Sequence, residues 1–251
     1  MALNDVVGGV RGALAFLTRI PIPTDEDDWD QFRAFPVAFP LVAYFIGAIT
    51  ALPFFVGVPS ATVAFGYLVV LVGLVGIPHL DGIADLGDAA AAHGTDARRR
   101  ALKDTETGVG AIVAVAVVFA GLALAAFELA SMPTIAAVGL VVASEVGAKL
   151  GMATVGCLGT ASHDGLGSAF TRSAGPTLLV GPLLVSLPAA LFVSSPPASI
   201  AAVAAGPLVA LGLVRWADRT LGGVNGDVFG AANELGRVVG LHAGVIAWTL
   251  S

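Results

Sequence analysis

Charge is what this sequence has least of. Asp, Glu, Lys and Arg together make up 12% of its 251 residues, about half the roughly 25% of an ordinary soluble domain. So few charges cannot cover a water-facing surface, which excludes a soluble globular fold. Only two of the basic residues, Lys103 and Lys149, are lysines, and the net charge is −6. That balance suits a high-salt cytosol and carries no nucleic-acid signature. Cysteine is almost absent: a lone Cys157 excludes an internal disulfide, and nothing around it marks a nucleophile. No long internal repeat is present. The run 7–23 is broken by Arg11 and lacks a small-residue cleavage site, so it does not read as a removable signal peptide. It reads as an amphipathic interfacial helix ending at Pro21, with Arg19 at headgroup level. The acidic stretch 24-TDEDDWD-30 that follows reads as a solvated loop.

What is there is apolar. Mean hydropathy is +0.90, and the runs 35–58, 61–78, 109–127, 133–153, 176–193 and 198–214 each approach the ~20 residues that cross a bilayer core. A seventh, 238–250, is short enough to be a last span or an interfacial helix. The chain is therefore expected to be all-α, a polytopic membrane protein of about seven transmembrane helices, six if the last does not cross. Residues 1–251 form one domain. The tight turns at 57–60, 131–133 and 194–199 carry no Lys or Arg. All twelve basic residues fall on the opposite side or at its boundary, which places that side in the cytoplasm.

Against this background one stretch stands out: 78-PHLDGIADLGDAAAAHGTDARRRALKDTETG-108. Asp81, Asp85 and Asp88 are spaced i, i+4 and i+7, within an arc of about 60° on a helix. Three carboxylates this close repel unless protons or a cation intervene. Oxygen donors without Cys or clustered His suit Mg²⁺ or Mn²⁺ and not zinc. Such a dication, with nearby Arg and Lys, can grip a diphosphate. Gly82 and Gly87 reduce bulk beside the carboxylates, leaving room for a ligand.

A second polar region is 215-RWADRTLGGVNGDVFGAANELGR-237. Its glycines can bring backbone N–H groups to a phosphate while Arg219 adds charge. Asn225, Asp227, Asn233 and Glu234 add polar groups, with Asp227 and Glu234 on one helical face. The same stretch is also an ordinary turn between helices. A third, 162-SHDGLGSAFTR-172, is polar and glycine-bearing. His79 and His163 are candidate proton carriers, or interfacial hydrogen-bonding groups.

Four segments together resemble the cobalamin synthase family, the adenosylcobinamide-GDP ribazoletransferases: 16-FLTRIPIP-23, 79-HLDGIADLGD-88 with 103-KDTETG-108, 164-DGLGSAF-170, and 220-TLGGVNGDVFGAANELG-236. They span nearly the whole chain in the family's order. The resemblance implies a multi-pass cell-membrane transferase with a cytoplasmic active site. It joins adenosylcobinamide-GDP to α-ribazole or its 5′-phosphate, releases GMP, and uses Mg²⁺, with Mn²⁺ a substitute. A ribose hydroxyl attacks the phosphate on the corrinoid's aminopropanol arm and the diphosphate breaks. On that footing Asp81, Asp85 and Asp88 hold metal. Lys103 and Arg219 compensate diphosphate charge, and Asp104 or His79 accepts the hydroxyl proton. Asn225 and Asp227, with Asn233 and Glu234, serve the nucleotide or metal. The partners implied are corrinoid and nucleoside substrates and the lipid bilayer, with no nucleic acid. A homo-oligomer, or association with other cobalamin-assembly enzymes, stays open.

The chain departs from the family at Ala89, commonly Gly, at Glu106, often basic, and at Glu145, near a usual Arg. Glu145 and Lys149 at i, i+4 read as a structural pair. Two other classes compete. A CDP-alcohol phosphotransferase also carries an Asp-rich DG helix, but has Ala-Arg soon after the DG where this chain has Ala84-Asp85. A transporter would place its charges near the bilayer midplane on broken helices.

Overall fold

The computed structural model describes residues 3–102, 104, 106–191 and 195–251. Among them lie twelve α-helices: α1 (Leu3–Leu17), α2 (Glu26–Ala34), α3 (Ala38–Thr50), α4 (Ser60–Val75), α5 (Pro78–Ala91), α6 (Thr95–Ala101), α7 (Val109–Leu129), α8 (Thr134–Leu158), α9 (Leu166–Thr171), α10 (Val180–Leu191), α11 (Pro196–Thr220) and α12 (Gly226–Thr249). No strand occurs among the described residues. The all-α expectation holds, and the chain is a membrane-embedded helical protein.

Over their described residues, all seven apolar stretches fall largely on helices, though not as seven equal spans. Among the described residues four are long and apolar enough to cross a bilayer: α3 with its 3-10 extension to Phe55, α7, α8 and α11. A fifth would be α4 with α5, but the pair is bent by 98°. Gly76, at φ +76°, and Pro78 at the start of α5 make that corner, so α5 runs across the direction of α4. The stretch 176–193 gives only a shorter apolar helix, Pro176–Leu191. The seventh, 238–250, is not a separate element. It is the second half of α12, whose first half holds Asp227, Asn233 and Glu234, on a helix as their spacing implied.

Helix α8 is the axis of the bundle, buried along nearly its whole length by α3, α11 and α12. Association inside lipid depends on close backbone approach rather than on a hydrophobic drive. Gly147 of α8 meets Gly206 of α11 so tightly that a Cβ on Gly206 would stand 1.8 Å from the Gly147 carbonyl oxygen.

The acidic stretch 24–30 is not the expected solvated loop. Asp25 and Asp28 form a capping box that starts α2, and the buried Asp28 accepts from Arg11 Nε and Nη2 at 2.6 Å each. This pins α2 to α1. Phe16, Trp29, Phe32 and Phe39 then meet Phe170 of α9, with ring centroids 5.1–5.9 Å apart. Phe170 in turn reaches Phe229 of α12 at 5.5 Å. The N-terminal hairpin is thereby tied to the helix ends that carry the polar site.

Candidate functional site

Helix α5 carries the three aspartates, but the structure divides them. Asp88 turns toward α7, where its carboxylate accepts from Gly108 N (2.8 Å) and Ala111 N (2.9 Å). Those N–H groups have no partner within the helix, and Gly108 has no side chain to cap them. Asp88 supplies the cap from outside. Asp81 and Asp85 face instead the start of α12. A Cβ at Gly82 would stand 2.7 Å from the Asp227 carbonyl oxygen, and one at Gly230 would stand 3.0 Å from that of His79. The two glycines therefore let α5 and α12 touch through their backbones. Gly87 does the same against Gly110 and Ala114 of α7. Both α5 glycines are filled by protein, contrary to the expectation that they leave room for a ligand.

This contact brings Asp227 to Asp81 and Asp85. Burial pushes the Asp85 carboxyl up to about 6, and the charges of Asp227, then Asp81 and Asp88, add to the rise. Asp227 is also raised, by burial and by Asp81, against the hydrogen bond from Asn225 and the charge of His163. Asn225 is the N-cap of α12, accepting from Val228 N at 3.2 Å and donating to Asp227 Oδ2 at 2.6 Å. Its side chain thus fixes Asp227.

Beside these carboxylates opens a cleft of about 420 Å³, lined by Arg99 and Leu102, by Ser162 and His163, and by Leu221, Gly222, Asn225 and Asp227. The α11–α12 turn and the 159–165 loop are joined by Val224 N to Thr160 O (2.8 Å) and Ser162 N to Val224 O (2.9 Å). The N–H groups of Leu221, Gly222 and Gly223 all donate to Ala217 O, and that of Val224 to Thr160 O. None of these four is turned toward a ligand, so the expected phosphate cradle of backbone N–H groups is absent at 221–224. Gly222 has another use: at φ +85°, a Cβ there would lie 2.7 Å from Arg99 Nη2. The missing side chain is the space that the Arg99 guanidinium occupies.

The remaining expected residues lie elsewhere. Asn233 and Glu234 are buried below the cleft with His79 in a polar network. Asn233 Nδ2 donates to His79 Nδ1 (3.1 Å) and to Glu234 Oε1 (2.9 Å). Glu234 pairs with Arg237, which also donates to Glu145 through Nε (2.6 Å) and Nη2 (3.1 Å). Lys149 completes the set by pairing with Glu145, as the i, i+4 spacing implied. Because an amide nitrogen can only donate, His79 Nδ1 is the acceptor of the Asn233 bond, and His79 does not line the cleft. Arg219 is exposed at the end of α11 and does not line the cleft. Asp104 is exposed, accepting from Glu106 N at 3.2 Å. Lys103 lies outside the described residues. The sequence reading missed Arg99 as a lining group and Arg237 as a buried ion. Arg237 has a visible signal, since it stands three residues after Glu234 in an apolar helix.

Donor chemistry fits a hard dication: Asp81, Asp85 and Asp227 are all-oxygen, mutually repelling, and have no ion-pair partner among the described residues. Among the described residues no three such side chains stand in a ready ligand arrangement. The fit is thus one of charge and donor type.

The family model of cobalamin-5-phosphate synthase matches residues 9–245. Among curated relatives, one from Halorubrum lacusprofundi is 46% identical over 97% of this chain and 99% of its own. One from Haloquadratum walsbyi is 45% identical over 98% and 100%, and one from Halobacterium salinarum is 58% identical over 77% and 98%. All three are named adenosylcobinamide-GDP ribazoletransferase. No solved structure matches the chain.

Proposed function

The chain belongs to the cobalamin-5-phosphate synthase family, and we propose on that premise that it transfers the phosphocobinamide group of adenosylcobinamide-GDP to a hydroxyl of α-ribazole or its 5′-phosphate, releasing GMP. The observation that carries the reading is the meeting of Asp81 and Asp85 of α5 with Asp227 of α12, beside a cleft whose cation is Arg99. A diphosphate substrate brings negative charge to three carboxylates, so a cation must stand between them. Mg²⁺ held by Asp81, Asp85 and Asp227 would polarise the phosphoryl oxygens and neutralise the leaving GMP. Arg99, which lines the same cleft, binds the other phosphate through the fork geometry that suits phosphate oxygens. His163 takes the proton of the attacking hydroxyl. It lines the cleft, and its Nδ1 lies 2.8 Å from Ser162 Oγ, which leaves Nε2 as the nitrogen available to accept that proton. Asn225 orients Asp227. The basic residues around this mouth and the bare opposite turns support a cytoplasmic active site.

The test is turnover by the purified chain in liposomes with adenosylcobinamide-GDP, α-ribazole and Mg²⁺. Cobalamin and GMP should appear together, in equal amounts and only with the dication. Both should be lost in Asp81→Asn, Asp85→Asn and Asp227→Asn. A well-folded chain that releases CMP from a CDP-alcohol, and no GMP, would overturn the reading.

A further inference from the structure

The ion network under the cleft does more than fill the bundle. Glu145 and Lys149 come from α8, Asn233, Glu234 and Arg237 from α12, and His79 from the first turn of α5. All six are buried. Two acids and two bases balance, which is how charge is tolerated at membrane depth. Yet stability alone does not call for them, because buried ion pairs are often replaceable by apolar residues without loss. One detail argues against a purely structural origin. Asn233 donates to both His79 and Glu234, but its own Oδ1 is buried without a hydrogen-bond partner. The amide is held in the one orientation that bridges α12 to α5, and an acceptor goes bare for it.

What the bridge grips is the root of the site. His79 precedes Asp81 by two residues and Asp85 by six. The backbones of α5 and α12 meet at Gly82 and Gly230, which have no side chains to interlock. Hydrogen bonding from Asn233 supplies the register that Gly82 and Gly230 cannot. We propose that Asn233 and His79 are positioning residues. Anchored through Glu234 and Arg237 to Glu145 on α8, they set the rotation and depth of α5 against α12, and with them the separation of Asp81 and Asp85 from Asp227. In this bridge His79 Nδ1 accepts the hydrogen bond from Asn233 Nδ2. This rests on the reading of the cleft as the transferase site, but its geometric part can be measured without turnover.

The experiment uses the full chain in detergent with Cys157→Ser as background and nitroxide labels at Ala90 of α5 and Val239 of α12, both exposed. Pulsed electron resonance reads the label separation in the unsubstituted chain, Asn233→Ala, His79→Leu and His79→Asn. Melting temperature, affinity for Mn²⁺ by its resonance signal, and turnover are read on the same samples. Asn233→Ala and His79→Leu should broaden the distance distribution and weaken Mn²⁺ binding. Their turnover per folded molecule should fall on the order of a hundredfold, the cost of misplacing reacting groups by about 1 Å. His79→Asn restores an acceptor at the Nδ1 position, so it should recover the narrow distribution and most of the turnover. Narrow distributions and unchanged Mn²⁺ affinity in Asn233→Ala and His79→Leu would overturn the proposal, as would loss of turnover in His79→Asn with the distance intact. If the unsubstituted chain itself shows no turnover, the functional reading fails, while the distances still decide the positioning claim.

Discussion

Asp88 offers the sharpest separation between what spacing implies and what packing does. By spacing it belongs with Asp81 and Asp85. By contact it is the external cap of α7, with two charge-assisted hydrogen bonds of 2.8 and 2.9 Å to Gly108 N and Ala111 N. Losing a capping side chain costs about 1 kcal/mol, and hydrogen bonds to a charged acceptor are worth about 1.5–3 kcal/mol each in net terms. These contributions overlap, because the same N–H groups recover water when the carboxylate is gone. Asp88→Ala should therefore destabilise the chain by about 2 kcal/mol. Asp88→Asn keeps one acceptor oxygen and loses the attraction of a full charge to the helix N-terminus, about 0.3–1 kcal/mol; it should cost roughly 1 kcal/mol.

The assay pairs a melting curve in detergent with turnover on the same preparation. Asp88→Asn should melt lower and, per folded molecule, turn over within about threefold of the unsubstituted chain, since no group that contacts substrate has moved. Asp81→Asn, Asp85→Asn and Asp227→Asn should show the reverse. Each removes a repelling charge, so melting should hold or rise while turnover is lost. If Asp88→Asn melts normally and is as inactive as Asp81→Asn, the capping assignment is wrong and Asp88 is a ligand.

Three further outcomes follow from the geometry. Gly82→Ala places a Cβ 2.7 Å from backbone of Asp227, so it should drive α5 off α12, cost about 1–3 kcal/mol and abolish turnover; a silent substitution would show that the backbone contact is not needed. Arg99→Ala should raise KM for adenosylcobinamide-GDP at least about tenfold, the value of one strong charge-assisted contact, with KM for α-ribazole and the melting temperature nearly unchanged; equal effects on both substrates would remove Arg99 from the diphosphate. Asp85 stands near 6 in the fold against 3.8 when unperturbed, so between those values the folded state binds more protons than the unfolded one. Metal-free stability should therefore fall as pH rises through that window, and Mg²⁺ should raise the melting temperature more at about pH 7 than at about pH 4.5, because protons and the cation compete for Asp85. A magnesium effect independent of pH would argue that Asp85 does not meet the metal.

The sequence showed the fold class and the three polar segments because both rest on local signals. Long apolar runs declare a membrane, and Asp81 and Asp85 at helical spacing declare a shared face. It could not show the partner of that face. Asp227 is 142 residues after Asp85, and only the Gly82–Gly230 contact reveals that they meet. Local reasoning also misread glycine. In a polar stretch it suggested open space for a ligand or free backbone N–H groups, but Gly82 and Gly87 are occupied by helices, and the turn at 221–224 donates its N–H groups to Ala217 and Thr160. Only Gly222 serves the cleft, and it does so by admitting Arg99.

The misplacement of Asn233 and Glu234 has a different cause, and it bears on how such a site is built. In water, polar residues in a glycine-rich segment are free to face solvent, so reading them as ligand groups is natural. In an apolar bundle a helix cannot turn its polar face outward, and each buried charge must find an opposite one. Arg237 therefore takes Glu234 and Glu145, and Asn233 is left to reach across to His79. The pairs that make α12 tolerable inside the bundle are the same ones that grip the root of α5, so the floor of the cleft and the interior of the membrane domain are one structure. Substitutions several turns away from the substrate, at Glu145 or Arg237, should for that reason behave as active-site variants in turnover and as core variants in stability.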